Sequence, residues 1–314
     1  MERTVPRYPS RIPWVQLVVR DESEARAFYG DGLGFRIEPR DDVLSLLPEG
    51  AATAPLRLRV VPHARPKPPR TTGLFHVAVR LPRREDLARL FVHLTEVGLP
   101  PEGSADHAVT ESLYLRDPDG NGLEFYADRP EETWPRRGRE ILMTVDALDW
   151  QDLLKTVSSD GPWRMPAGTV VGHVHLHVAD LGRAEAFYRD LLGFDVTLRW
   201  PSALFLSADG YHHHVAVNTW AGVGAPPPPP DAVGLDHFAL VPPRAEPLPV
   251  LAERLQAAGV PVTRTEDPTG PVLWAQDPDG HRLVLLKPPA YRRYRGPRPR
   301  PLPFTGGPVG PCIG

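Results

Sequence analysis

Val171–Phe194 reads VGHVHLHVADLGRAEAFYRDLLGF, and Ile12–Phe35 reads IPWVQLVVRDESEARAFYGDGLGF. These are one pattern written twice, and that pattern decides the fold. Each copy opens with an alternating β-branched run, the period of a half-buried strand. An Asp then precedes an amphipathic stretch ending AFY-x-D-x-LGF, where Leu-Gly marks a helix stop. A second pair of segments has the same layout. GLFHVAVRLP (Gly73–Pro82) and GLDHFALVPP (Gly234–Pro243) begin as strands and lead into helical stretches at Arg84–Val97 and Pro247–Ala258. They continue as SLYLRDPDGNGLEFYA (Ser112–Ala127) and VLWAQDPDGHRLVLL (Val272–Leu286). DPDG suits a β-turn, with Pro at its second position and Gly closing it. Of the last two segments, only the first keeps a carboxylate after the turn. Glu124 lies seven residues past the first Asp of its turn, and Val284 stands at the matching place.

The chain of 314 residues therefore divides into four βαβββ units at 11–65, 70–128, 169–221 and 232–287. The first two make an N-terminal lobe, 11–128, and the last two a C-terminal lobe, 169–287, joined by a linker at 129–168. A short helix is expected in that linker near Val145–Val157, and a Pro/Arg-rich tail follows at 288–314. Open curved sheets must pair to cover their edges, so four units are expected to close two cup-shaped half-open barrels in an α+β protein.

Composition narrows the function. The chain is 41% hydrophobic and 24% charged with a net charge of -3, which gives no reason to expect nucleic acid or an anionic membrane as partner. No apolar run approaches the roughly 18–20 residues of a membrane span, and the opening MERTVPRYPSR lacks an apolar signal core. The single cysteine, Cys312, allows no internal disulfide, which fits a cytoplasmic location.

The phrases H-x-x-x-x-V-x-D…FY-x-D-x-LGF and DPDG-x-x-x-E resemble the vicinal oxygen chelate superfamily, built from paired βαβββ modules around a metal. Within it the chain resembles the catechol 2,3-dioxygenase (type I extradiol dioxygenase) branch, over residues 11–287. The resemblance implies metal ligands on the first and last strands of a module, at matching positions in each pair. Those positions hold Trp14 in unit one, His76 and Glu124 in unit two, His173 in unit three, and His237 and Val284 in unit four. Joining units one and two, or three and four, leaves two ligands. Joining two with three gives His76, Glu124 and His173, a full 2-His-1-carboxylate set, and leaves His237 alone in the other cup. His175 and His177 share the strand face of His173, so the repeat register alone selects His173 over His175.

The resemblance extends to the residues around the metal. GYHHHVAVN (Gly210–Asn218) matches the stretch whose second His is an acid–base catalyst, which selects His213, with His212 and His214 as alternatives. Tyr114 matches a tyrosine that hydrogen-bonds a substrate hydroxyl, and His107 is placed to contact substrate or the ring-opened product. The implied activity is Fe(II)-dependent cleavage of a catechol-type aromatic by O2, with Mn(II) as the alternative ion. Two other readings stay open. One is a different metal enzyme on the same cup, a glyoxalase-type isomerase or thiol transferase. The other is a non-catalytic protein that sequesters a small aromatic drug. A homo-oligomer is compatible with the sequence.

Overall fold

The computed structural model describes residues 10–40, 42–157, 161–244, 246–267 and 270–287, and the Pro/Arg-rich tail lies outside them. Unit one supplies β1 (Val15–Val19), α1 (Glu22–Ala25), β2 (Arg36–Arg40), β3 (Val43–Leu47) and β4 (Leu56–Val60). Unit two supplies β5 (Gly73–Arg80), α2 (Arg84–Glu96), β6 (Gly103–Asp106), β7 (Thr110–Arg116) and β8 (Gly122–Asp128). The linker adds a small hairpin, β9 (Arg136–Arg137) and β10 (Glu140–Ile141), and α3 (Trp150–Leu154). Unit three supplies β11 (Val170–His177), α4 (Leu181–Glu185), β12 (Asp195–Trp200), β13 (Ala203–Ser207) and β14 (Val215–Asn218). Unit four supplies β15 (Gly234–Leu240), α5 (Leu248–Ala257), β16 (Val262–Asp267), β17 (Gly270–Gln276) and β18 (Arg282–Leu286).

The strands form two curled eight-stranded sheets, ordered β12-β13-β14-β11-β5-β8-β7-β6 and β16-β17-β18-β15-β1-β4-β3-β2. Unit three joins unit two, and unit four joins unit one. In each sheet two opening strands pair antiparallel at the centre, β5 with β11 and β1 with β15. Each opening strand then pairs parallel with the last strand of its own unit, β5 with β8 and β11 with β14. This parallel pairing sets Glu124 beside Ala78, two residues along from His76. The sequence spacing of opening His and late carboxylate thus becomes nearness in space.

The helical stretches of units one and three run to the Leu-Gly stop that their sequence suggests, but only their opening part is α-helical and short. Asp21 and Asp180 cap α1 and α4 by accepting from the backbone N–H of Glu24 and Arg183, as the Asp preceding each stretch leads one to expect. After one turn the chain widens into a π-helix, at Arg26–Gly32 and Ala186–Leu191. The wider turn lets two successive aromatics bury, Phe28 with Tyr29 and Phe187 with Tyr188. Gly34 and Gly193 follow at φ 82° and 90°, the left-handed conformation that ends the turn.

These tyrosines explain the DPDG motif. Tyr29 donates to Asp117 Oδ2 at 2.9 Å, and Tyr188 donates to Asp277 Oδ2 at 2.9 Å. Each bond ties a unit in one sheet to its sequence neighbour in the other. A continuous apolar core fills the space between, with Leu87, Leu90 and Leu94 of α2 among Val77, Val79, Leu123 and Phe125.

The linker helix is also shorter than expected. Asp149 caps it by accepting from the backbone N–H of Asp152 at 2.9 Å, and the preceding stretch is held extended by a bridge from Asp146 to Asp106. Linker residues Trp134, Ile141 and Met143 pack with Tyr211 and Ala216, so the segment covers part of unit three. Among the described residues no helix is long and apolar enough to cross a membrane.

Candidate metal centre

At the middle of the β5/β11 sheet three buried side chains converge. His76 is 6% exposed, Glu124 3% and His173 2%, so water does not compete for them. Glu124 Oε2 lies 2.9 Å from His76 Nε2 and 3.2 Å from His173 Nε2, and the two nitrogens are 3.3 Å apart. Three ligands at about 2.1 Å from a first-row divalent ion and at right angles to one another would lie about 3.0 Å apart. The donor set therefore fits one face of an octahedral ion. Among the described residues no other group of three or more His, Cys, Asp or Glu side chains converges in this way.

The electrostatics suit a cation. Burial pushes the Glu124 carboxyl up, but His173 and His76 beside it overcome that and hold it well below the usual carboxylate range. Burial lowers His173 to about 4, against a weaker opposing pull from Glu124. An ionised carboxylate and a neutral imidazole are the forms that bind metal. Ser112 donates to Glu124 Oε1 at 2.7 Å, which leaves Oε2 turned to the histidines. His173 Nδ1 has no hydrogen-bond partner among the described residues, so packing sets its ring: Tyr126 lies 5.3 Å away and His213 4.0 Å, centroid to centroid. Gly172 makes room for Tyr126, because a Cβ there would sit 1.7 Å from its hydroxyl.

His175 pairs across the strands with His76, but its Nε2 accepts from Asn218 Nδ2 at 2.9 Å. That places His175 beside the convergence and engaged elsewhere. Tyr114 pairs directly with Glu124 across β7 and β8. Burial, then the charge of Glu124, raises its hydroxyl well above the usual tyrosine range, so it stays an O–H group. His107 Nε2 lies 2.6 Å from the Tyr114 oxygen, and its Nδ1 lies 2.6 Å from the Thr144 carbonyl. Asp106, by contrast, has a turn role, accepting from the Ala108 backbone N–H at 2.8 Å.

The three consecutive histidines depart from a simple alternation. Strand periodicity would put His212 and His214 on one face and His213 on the other, but all three precede β14 in a bend. His212 and His213 therefore meet, Nδ1 to Nδ1, at 2.8 Å, while His214 turns to Ser207. Burial holds His213 well below the usual histidine range, with His173 and His212 adding to it.

In the other sheet the matching positions are filled with packing. Val284 is buried with Ala239 and Val272 against Trp14, Trp274 and Leu286. His237 Nδ1 is 3.0 Å from Asp236 Oδ2, so that nitrogen has a carboxylate partner. Ser112, which bonds Glu124, and Asp128, which lies 3.1 Å from His212 Nε2, belong to no motif of the sequence. Both were visible by period two, Ser112 from Tyr114 and Asp128 from Glu124.

Residues 11–125 and 170–285 match the Glyoxalase/Bleomycin resistance protein/Dioxygenase superfamily, and the chain belongs to that superfamily. It is 42% identical over 262 residues to a catechol-2,3-dioxygenase of Bacillus subtilis (strain 168), covering 82% of this chain and 92% of that one. Among solved structures it resembles a protein of Bacillus subtilis subsp. subtilis str. 168 assigned as a dioxygenase, with TM-score 0.63 and 14% identity over 88% of this chain and 85% of that one. Glyoxalase I from Zea mays shares the fold at TM-score 0.54 and 15% identity, over 88% of this chain and 91% of that one.

Proposed function

We propose that the chain is an extradiol dioxygenase that opens a catechol-type aromatic ring with O2, at Fe(II) held by His76, Glu124 and His173. The observation that carries this reading is the convergence of two imidazoles and one carboxylate within 3.3 Å of one another. Kinship with the Bacillus subtilis catechol-2,3-dioxygenase supports the reaction class. Held by His76, Glu124 and His173, Fe(II) would supply Lewis-acid and redox chemistry toward the catechol and O2, and Mn(II) suits the same donors.

The chain's own residues then have separate tasks. Ser112 holds the carboxylate of Glu124 in place. His107 Nδ1 donates to the Thr144 carbonyl, so in the neutral ring Nε2 carries the lone pair and accepts from the Tyr114 hydroxyl. The Tyr114 oxygen is left with lone pairs to accept from a substrate hydroxyl, which orients the ring. His213, whose ring is tilted against that of His173 with centroids 4.0 Å apart, would take a proton from the substrate and return it during ring opening.

A glyoxalase-type isomerase or thiol transferase would favour a fourth protein ligand from β14. Among the described residues no fourth His, Cys, Asp or Glu joins the cluster, and Asn218 on that strand is engaged by His175 and His177. The deciding experiment is anaerobic Fe(II) reconstitution, then oxygen uptake against a panel of substituted catechols. One O2 consumed per catechol, with appearance of the ring-opened chromophore, is expected. Iron bound at one equivalent with no oxygen uptake across the panel would remove the reading.

A further inference from the structure

We infer that Asp128 and His212 are positioning residues that fix which nitrogen of the His213 ring carries its proton. The catalytic meaning of this inference rests on the dioxygenase reading, but the proton placement itself does not. Asp128 ends β8, four residues past Glu124 and on the same strand face. Its Oδ1 lies 3.1 Å from His212 Nε2, and His212 Nδ1 lies 2.8 Å from His213 Nδ1. Asp128 is itself held, by the Tyr211 hydroxyl at 3.0 Å and by Arg80 Nη1 at 3.3 Å. His212 is fully buried, with Tyr211 3.9 Å away and Trp134 5.3 Å away, centroid to centroid.

The direction of the chain follows from what each group can do. An ionised carboxylate only accepts, so His212 Nε2 carries a hydrogen and donates to Asp128. A ring sealed from water disfavours its charged form, so His212 Nδ1 carries a lone pair. Two Nδ1 atoms 2.8 Å apart need one donor, which must be His213. His213 therefore has its hydrogen on Nδ1 and its lone pair on Nε2. Run in reverse, the same contacts would leave His213 with an Nε2–H that could only donate. Asp128 thus decides whether His213 meets the substrate as a base or as a hydrogen-bond donor.

The test is 15N NMR of histidine-labelled, metal-free protein, with signals assigned by His212→Gln and His213→Gln. The wild type should show His213 protonated at Nδ1 and His212 at Nε2. In Asp128→Asn, Arg80 keeps the amide oxygen, and the NH2 group faces His212. Both histidines should then exchange tautomers. The Fe(II)-loaded variant should lose at least about tenfold in kcat, with KM and iron content within twofold of wild type. A wild-type His213 protonated at Nε2 overturns the inference, and so does a variant with unchanged tautomers or unchanged kcat. If Asp128→Asn does not fold, the wild-type spectrum alone still decides. If the wild type takes up no oxygen, the function reading fails while the spectra still judge the tautomers.

Discussion

Replacing Glu124 by Gln tests the centre with little change of volume. The amide still offers an acceptor to Ser112, so the metal-free fold should be nearly as stable as wild type. What it removes is the one anionic donor to the ion. Changes to groups that merely support a ligand cost about 10–100-fold in affinity, and loss of the ligand itself should cost more than that. An ion present at a hundred times its Kd stabilises the fold by about 2.7 kcal/mol, and a hundredfold weaker site reduces that to about 0.4 kcal/mol. For a chain of this size the difference corresponds to a melting shift on the order of 5 °C. The control is Val284→Ala at the matching position of the other sheet. Val284 is 3% exposed, so losing its two methyl groups should cost about 1.5–3 kcal/mol through packing. Its metal-induced melting shift should nevertheless equal that of wild type. Thermal melts with and without Fe(II) or Mn(II), with metal content measured after desalting, decide the matter. Equal metal loss in both variants, or full metal retention in Glu124→Gln, would refute the assignment of the working sheet.

Three further outcomes follow from the same contacts. Ser112→Ala frees Glu124 Oε1, and chelator competition should show metal affinity lowered by about 10–100-fold with the fold retained. Tyr29→Phe and Tyr188→Phe each leave a buried carboxylate short of one donor, so denaturant titration should show losses of about 1.5–3 kcal/mol for each, with metal content unchanged. Burial lowers His173 to about 4 and also lowers His175, His212, His213 and His214, whereas His281 alone among the fully buried histidines is raised. Below about pH 6.5 the unfolded chain takes up protons that these five rings refuse. Metal-free stability should therefore fall as the pH drops from about 6.5 toward 4, with His173 alone contributing up to about 1.4 kcal/mol per unit, and a melting temperature flat from pH 7 to 5 would contradict this.

The convergence of His76, Glu124 and His173 was legible because a repeat carries its own register. His76 and Glu124 sit where His237 and Val284 sit in the other copy, so a sequence comparison suffices to find the copy that keeps the carboxylate. The pairing of units two and three was legible for the same reason, since it alone completes a 2-His-1-carboxylate set. Other features had no local signature. The AFY tyrosine and the DPDG aspartate are plain in the sequence, but their bond joins residues 88 positions apart and depends on how two sheets face each other. Strand alternation misplaced His212 and His213 because the bend before β14 brings neighbouring rings together. The type of helix in units one and three was hidden, because the π-turn keeps the amphipathic pattern while changing the hydrogen bonding.

The two kinds of motif answer to different constraints, and the structure separates them. Tyr29 with Asp117 and Tyr188 with Asp277 join consecutive units across the two sheets, so each half of the chain needs its own copy. Strand pairing runs the other way, joining units two and three in one sheet and one and four in the other. The cluster of His76, Glu124 and His173, spread over one sheet, therefore draws on both halves, and each half supplies only part of it. The N-terminal half supplies His76 and Glu124, and Trp14 stands at the matching position of its first strand, packed against Val284. The C-terminal half keeps His173, and Val284 can be apolar because its sheet holds no complete set. The blanks in each half fall together in the β1/β15 sheet, where Trp14, Val284 and Trp274 pack as a core in place of a site.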